Sequence, residues 1–302
     1  MYLTGFADEA ADDIDGQIRA TKELKWRYIE ARDVNGATIH DIPDAEFDLV
    51  CGKLADAGIE VNCVGSSIAN WGSSVADPFE QTLEIVGRCI PRMHRLGTKL
   101  VRIMSYAVLQ DRSADDQMEE ERFRRLREIL RRFNDAGIVV VHENCMNYGG
   151  MGWPFTLKLL ENVPGLRLVF DTGNPIVSRD YRSRNPDARQ STWEFYQHVK
   201  EHIAYLHIKD GRFLGSKPGA RRPCVEFTWP GEGDGDVKRV VRDLLGNGYD
   251  GGFSMEPHMA VVFHDKSVQT EFEVRYGNYV EYGRRFVKLL EELGYGDKSV
   301  KA

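Results

Sequence analysis

Two patterns of apolar and polar positions alternate along the chain. Short runs rich in Val, Ile and Leu are followed by longer segments whose apolar residues recur at helical spacing. A run that is apolar on both faces is typical of a strand covered by helices on both sides, as in a parallel sheet. The pattern predicts strands at residues 3–7, 28–31, 60–64, 100–104, 139–144, 166–170, 203–208 and 252–255.

Helix start and stop signals lie between these strands. Pro43 and Pro78 precede helical segments, and Gly58 and Gly97 close them just before the next strand. Strands that are each followed by a helix predict a (β/α)8 TIM barrel, which we expect to form a single domain over residues 1–302. A doubly wound open sheet is the alternative. The barrel is favoured because no GxGxxG follows the first strand, and because polar strand ends are spread over half the chain.

Composition narrows the class of protein. The 302 residues carry a net charge of −7, which favours neither nucleic acid nor an anionic membrane as a partner. Five cysteines without a CxxC pair predict reduced thiols, and the N-terminus lacks the features of a signal peptide, so we expect a cytoplasmic enzyme. No segment reaches the apolar length of a membrane span. The sequence leaves open whether the chain forms a homo-oligomer.

Metal-ligand residue types end the last four predicted strands. These residues are Glu143, Asp171, His207 and Glu256. Because side chains alternate along a strand, Glu143 shares a face with two core valines, and a buried carboxylate needs a cation or a metal as partner. Barrel active sites are built at the carboxyl ends of the strands. An oxygen-rich site with one imidazole predicts one divalent metal, with Mn²⁺ favoured and Mg²⁺, Co²⁺ or Zn²⁺ as alternatives.

Three predicted loops at this face, residues 66–76, 173–190 and 211–236, are longer than a barrel needs and are typical of functional loops. We interpret several side chains in these loops or at strand ends as candidates for substrate binding, with ion pairing or core packing as the alternative. His258 is also a candidate acid or base, whereas His142 faces away from Glu143 and is expected to be structural. The candidates are Glu30, Trp71, Arg102, Trp153, Lys209, Arg212 and His258.

Five motifs together resemble the xylose-isomerase-like superfamily, in particular its sugar phosphate isomerase/epimerase branch. They are residues 142–144 (HEN), 170–174 (FDTGN), 206–210 (LHIKD), 231–236 (GEGDGD) and 255–258 (MEPH). The resemblance covers nearly the whole chain and implies that Glu143, Asp171, His207 and Glu256 hold one metal. It also implies that residues 231–236 form a Gly-rich turn before the seventh helix.

The resemblance implies proton movement beside the carbonyl of a small carbohydrate. A metal-stabilised enediolate would form, with Glu143 and Glu256 as the catalytic pair that removes and returns the proton. This chemistry predicts a sugar or keto-sugar isomerase or epimerase. A dehydratase or lyase acting on a keto-sugar or an inosose-like cyclic polyol is the alternative, because inosose dehydratases resemble this chain in the His-x-Lys-Asp segment.

One departure limits the resemblance. Ketose 3-epimerases usually carry His three residues after the metal-binding Asp, but this chain has Asn174, which could bind a substrate hydroxyl but cannot move a proton. We therefore expect weak or no turnover of free ketohexoses.

An endonuclease of the endonuclease IV type shares the barrel but needs additional His ligands for three zinc ions. The third strand offers no His, and the net charge would repel DNA. A sugar-binding barrel without activity is disfavoured by the intact set of carboxylates.

Overall fold

The structure is a computed structural model that describes residues 1–215, 224–259 and 271–296. Within these ranges eight parallel strands form one sheet, in which each strand from the second onward pairs with the next along the chain and the last pairs with the first. A parallel bridge from Phe6 to Glu30 brings the first strand back beside the second. The predicted TIM barrel is confirmed. The strands are β1 Tyr2–Gly5, β2 Tyr28–Ala31, β3 Glu60–Gly65, β4 Leu100–Ile103, β5 Val139–Glu143, β6 Arg167–Asp171, β7 Ile203–Ile208 and β8 Gly252–Met255.

Helices alternate with the strands along the chain. Gly58 and Gly97 follow two of these helices in the left-handed conformation, with φ of 68° and 69°, as the sequence predicts for glycine at a helix end. Asp13 caps the first helix by accepting a hydrogen bond from the Gly16 backbone N–H. The helices are α1 Ile14–Glu23, α2 Asp44–Ala57, α3 Phe79–Leu96, α4 Glu119–Asp135, α5 Trp153–Asn162, α6 Thr192–Val199, α7 Val237–Gly246 and α8 Phe272–Glu292.

The alternation of side chains on β5 shows how the barrel positions the site. Val140 packs in the layer between the strands and the helices. Val141 belongs to a small cluster made of strand residues, which fills the interior of the barrel. Glu143, two residues further along, therefore also points inward, and it does so at the carboxyl end of the strand.

The structure corrects several sequence-based bounds. The first strand ends at Gly5, and residues 7–9 form a 3-10 turn, because the Phe6 carbonyl accepts the Glu9 backbone N–H. The predicted loop 211–236 contains a β-hairpin that pairs Gly211–Gly215 with Cys224–Phe227, and its residues 216–223 lie outside the described parts. The predicted loop 173–190 contains the short helix Asn174–Val177.

A further hairpin, Asp33–Val34 with Ala37–Thr38, was not predicted from the sequence. Its turn residues Asn35 and Gly36 both have positive φ, which is the conformation that an Asn-Gly pair favours. Among the described residues, no helix combines the length and the apolar character needed to cross a membrane.

Candidate active site

The four ligand-type residues converge at the carboxyl ends of four neighbouring strands. Glu143 ends β5, Asp171 ends β6, His207 lies near the end of β7, and Glu256 follows β8. The register between β6 and β7 places Asp171 directly beside His207. All four are buried, and one ligand atom of each lies within 4.8 Å of those of the other three. The structure thus brings together the four residues predicted to bind a metal.

Two of these ligand atoms lack a hydrogen bond. His207 Nδ1 lies 3.9 Å from Glu143 Oε1 and 3.8 Å from Glu256 Oε2 but has no hydrogen-bond partner. Asp171 Oδ2 makes no hydrogen bond either, although the Lys209 ammonium lies 3.0 Å away. Buried polar atoms are normally satisfied, so a carboxylate oxygen and an imidazole nitrogen that face the same point fit a metal ion.

The remaining carboxylate oxygens are held in place by the protein. Asp171 Oδ1 accepts hydrogen bonds from the backbone N–H groups of Gly173 (2.8 Å) and Asn174 (2.6 Å). The Asn174 side chain donates to Glu143 Oε1 at 2.9 Å. Asn174 therefore orients two of the four ligand residues, one through its backbone and one through its amide.

Three buried cations surround the carboxylates. The ammonium of Lys209 lies 2.9 Å from Glu256 Oε2, in addition to its contact with Asp171. Arg102 Nε lies 3.3 Å from Glu143 Oε2, and Arg32 Nη1 lies 3.0 Å from Glu256 Oε1. The cations stabilise the charged form of the carboxylates that they contact.

The pKa values reflect crowded negative charge. Burial raises the pKa of Asp171 to about 7; the charges of Glu256 and Glu143 add to this increase, and Lys209 opposes it. For Glu143 the burial effect is outweighed by Arg102 and His207, so its pKa is lowered to about 2. The pKa of Glu256 is likewise held well below its usual range, because the neighbouring Lys209, His258, Arg32 and His207 together outweigh the effect of burial. Asp171 is thus the carboxylate of the cluster whose ionised form is disfavoured, and a bound cation would lower its pKa.

His207 shows the complementary effect. Burial alone would lower the pKa of its imidazole, but the neighbouring carboxylates Glu30 and Glu143 outweigh burial and raise it to about 10. A metal ion would compete with a proton for this imidazole.

A small cleft of about 100 Å³ opens above the cluster. Glu143 and Glu256 lie in its wall. Of the residues predicted to bind substrate, the cleft is lined by Trp71, Arg102, Lys209 and His258.

The other predicted residues, Glu30, Trp153, Asn174 and Arg212, are absent from the lining of the cleft. Arg212 projects from the β-hairpin that follows β7, is half exposed, and contacts Glu226 and the backbone carbonyl of Glu232. Trp153, at the start of α5, stacks on His198 with ring centroids 3.7 Å apart. His142 lies on the face opposite Glu143 and contacts the Ser105 hydroxyl at 2.9 Å.

A second buried group was missed by sequence reasoning. Glu9, Glu256 and His258 also place ligand-type atoms within 4.8 Å of one another. His258 Nδ1 lies 2.8 Å from Glu9 Oε1, and Arg32 bonds to Asp8 at 2.8 Å while lying 3.5 Å from Glu9. The available signal was position, because Asp8, Glu9 and Arg32 directly follow the first two strands and so lie at the same end of the barrel.

Solved structures with the same fold were found in several organisms. A xylose isomerase-like TIM barrel protein from Mycobacterium smegmatis, in complex with magnesium, is 17% identical, with 97% of each chain covered and a TM-score of 0.67. A D-allulose 3-epimerase from Methylomonas sp., in complex with D-allulose, is 15% identical, with 95% of this chain and 96% of that chain covered and a TM-score of 0.66. The probable 3-DHS dehydratase AsbF from Bacillus anthracis is 17% identical, with 92% and 96% covered and a TM-score of 0.64.

At such identities these structures show a shared fold and leave the reaction open. No protein of curated function matches the sequence. The sequence profile of one family, described as xylose isomerase-like TIM barrel, matches residues 18–275, which is most of the chain. The protein therefore belongs to the xylose isomerase-like TIM barrel family.

Proposed function

We propose that this protein is a divalent-metal-dependent isomerase or epimerase of a sugar or keto-sugar. The observation that carries the proposal is the buried cluster of Glu143, Asp171, His207 and Glu256, in which His207 Nδ1 and Asp171 Oδ2 lack hydrogen bonds. These four side chains would hold one ion. Mn²⁺ is favoured by the three carboxylates, and Mg²⁺, Co²⁺ or Zn²⁺ are alternatives. When bound, the ion would polarise a substrate carbonyl and make the neighbouring C–H group more acidic.

The two glutamates are suited to move the proton. Glu143 Oε1 and Glu256 Oε2 lie 3.9 Å and 3.8 Å from His207 Nδ1, and both residues line the cleft. One carboxylate would remove the proton from the carbon beside the carbonyl, and either the same or the other would return one. Return to the opposite face gives an epimer, and return to the neighbouring carbon gives an isomer.

The cleft suits a small polar ligand. Besides the glutamates it is lined by the hydroxyl side chains of Thr38, Ser66 and Ser67 and by the ring of Trp71. Hydroxyl groups bond to sugar hydroxyls, and an indole ring offers an apolar surface for the C–H face of a sugar ring. The D-allulose complex of the Methylomonas epimerase supports a carbohydrate as the substrate class.

Metal stoichiometry tests the site. The wild-type protein should bind one equivalent of Mn²⁺ in equilibrium dialysis with metal analysis, and His207→Ala should lose it. The matched control is His202→Ala, which removes an exposed histidine just before the same strand. Equal occupancy in the wild type and His207→Ala would refute the assignment of the site.

Solvent exchange tests the mechanism. In D₂O, with a panel of keto-sugars as substrates, the wild type should place deuterium on the carbon beside the carbonyl. Glu143→Gln and Glu256→Gln keep an oxygen but lose basicity, so turnover should fall by ~10²–10⁴-fold while metal is largely retained. A product free of deuterium from the wild type would discard the carboxylate pair, because a hydride shift leaves no solvent label.

Dehydration of a keto-sugar or inosose-like polyol is the second candidate function. The Lys209 ammonium is specifically relevant to it, because it lies 2.9 Å from Glu256, lines the cleft, and could stabilise a departing hydroxyl by donating a hydrogen bond. The fold shared with a probable dehydratase is compatible with this reaction. Mass analysis of the product separates the two candidates, since dehydration removes one water molecule.

A further inference from the structure

Glu30 is a carboxylate in the barrel interior, outside the four ligand-type residues. It lies on β2, is 1% exposed, and is absent from the residues that line the cleft. Both of its oxygens contact the ring of His207, at 3.2 Å and 3.1 Å from Nε2. Glu30 therefore meets the imidazole at the nitrogen that faces away from Glu143 and Glu256.

The position of Glu30 is fixed by hydroxyl donors on two other strands. Ser254 Oγ donates to Glu30 Oε2 at 2.6 Å, and the Tyr205 hydroxyl donates to the same oxygen at 2.9 Å. The ring of His207 is in turn packed edge-on against Phe6 and Tyr205, with centroids 5.0 Å and 5.6 Å away. Carboxylate and imidazole are thus held in one relative orientation.

The chemistry of this contact sets the tautomer of His207. An ionised carboxylate can only accept hydrogen bonds, so the hydrogen bond to Glu30 requires the proton of the neutral imidazole on Nε2. The lone pair is then on Nδ1, which is the nitrogen that faces the other ligand atoms and lacks a hydrogen bond. The opposite tautomer would present an N–H group to the metal position and could not bind an ion.

We propose that Glu30 is a positioning residue that fixes the tautomer and the orientation of His207 for metal binding. This inference rests on the proposed metal site and adds a residue to it. Glu30 would increase the affinity for the metal, because a carboxylate that accepts a hydrogen bond from a metal-binding histidine raises the basicity of the imidazole and restricts its rotation.

The variant Glu30→Gln removes the charge that holds the proton on Nε2. Both hydroxyl donors converge on Oε2, so a glutamine would place its carbonyl oxygen there, 3.1 Å from His207 Nε2. Its NH₂ group would then occupy the position of Oε1, 3.2 Å from the same nitrogen, where a donor opposes an N–H group. The tautomer with the proton on Nε2 would lose its stabilisation, and the imidazole proton would shift toward Nδ1. Metal affinity should fall about 10–100-fold with little change in side-chain volume.

The test measures the Kd for Zn²⁺ by competition with a chelator in the wild type, in Glu30→Gln and in the control Glu60→Gln. Glu60 lies on the neighbouring strand β3, is half exposed, and pairs with Arg27 at the opposite end of the barrel. The control loses the same charge far from the site and should keep the wild-type Kd. An unchanged Kd in Glu30→Gln would overturn the inference.

A second readout reports the tautomer directly. In the zinc-loaded wild type, ¹⁵N NMR of the histidine side chains should show His207 with a proton on Nε2 and the metal on Nδ1. Zinc bound through Nε2 would overturn the inference, even if Glu30→Gln failed to fold. A failure of the proposed function is distinguishable, because the wild type would then bind no stoichiometric zinc at all.

Discussion

Asp210 gives the sharpest prediction about stability. It follows β7, and its carboxylate accepts four backbone hydrogen bonds, from Gly211 (2.9 Å), Gly231 (2.8 Å), Gly233 (3.0 Å) and Gly235 (2.8 Å). Three of these donors belong to the Gly-rich turn before α7. One side chain therefore links the segment that carries His207 and Lys209 to this turn, and Asp210→Asn is the variant that tests the link.

The magnitude follows from the number of donors that lose an acceptor. An asparagine has one carbonyl oxygen, so its NH₂ group must face two of the four N–H groups. Gly231 and Gly233 are the more exposed pair, and both bond to Oδ2, so the NH₂ group should turn toward them, where water reaches most easily. A backbone donor without a partner costs about 1–3 kcal/mol, so the loss should be roughly 2–4 kcal/mol after partial solvation.

Urea unfolding followed by circular dichroism measures this loss. The control is Asp234→Asn in the same turn, whose side chain is exposed and should change the free energy of unfolding by less than about 0.5 kcal/mol. The reasoning would be refuted if Asp210→Asn were destabilised no more than this control. An additional clash is expected in Gly233→Ala, because a Cβ at that position would lie 2.4 Å from Asp210 Oδ1.

Three further predictions concern other parts of the molecule. Burial lowers the pKa of His40 from 6.5 to about 4, so the unfolded state takes up a proton first as the pH falls below 6.5. The free energy of unfolding of the wild type should therefore drop by roughly 1 kcal/mol between pH 7 and about 5.5. Urea unfolding at each pH measures this drop, which should be smaller in His40→Gln. Arg122 is buried and donates to the backbone carbonyls of Ser105, Ala107 and Gln117, so Arg122→Met should cost roughly 3 kcal/mol in the same assay. This chain has Asn174 at the position where ketose 3-epimerases usually carry a titratable histidine, so the wild type should turn over fructose or tagatose weakly or not at all. Robust 3-epimerisation of either sugar would contradict this prediction.

The parts of the site that could be predicted from the sequence were those encoded by a local pattern. Glu143 and Asp171 each end an apolar run, and parallel strands bring such ends to one face of the barrel. The alternation of strands and helices also predicts that consecutive strands are neighbours in the sheet. Asp171 on β6 therefore lies beside His207 on β7.

The parts that could not be predicted depend on contacts between distant segments. Arg32 meets Glu256 across the closure of the barrel, and neither residue carries a local sign of the other. Glu30 was predicted either to bind substrate or to form a buried ion pair, and in the structure it pairs with His207 at 3.1 Å. The identity of this partner could not be predicted, because it depends on the combined positions of β2, β7 and β8. The antiparallel strands Gly211–Gly215 and Cys224–Phe227 were assigned to a loop because each is short, with five and four residues.

The arrangement of charge bears on how many metal ions the site would hold. Glu9, Glu256 and His258 could serve as ligands for a second ion that shares Glu256 with the first. However, the Arg32 guanidinium already lies among these groups, 3.0 Å from Glu256 and 3.5 Å from Glu9. A guanidinium stays charged at any pH that a folded protein tolerates, so Arg32 supplies at this position a fixed positive charge that a second metal would otherwise supply. Aldose-ketose isomerases that use a hydride shift require two metals, whereas proton transfer by a carboxylate pair needs one. The fixed cation beside Glu256 is therefore a reason, independent of the unsatisfied atoms around His207, to propose one metal and a proton-transfer mechanism.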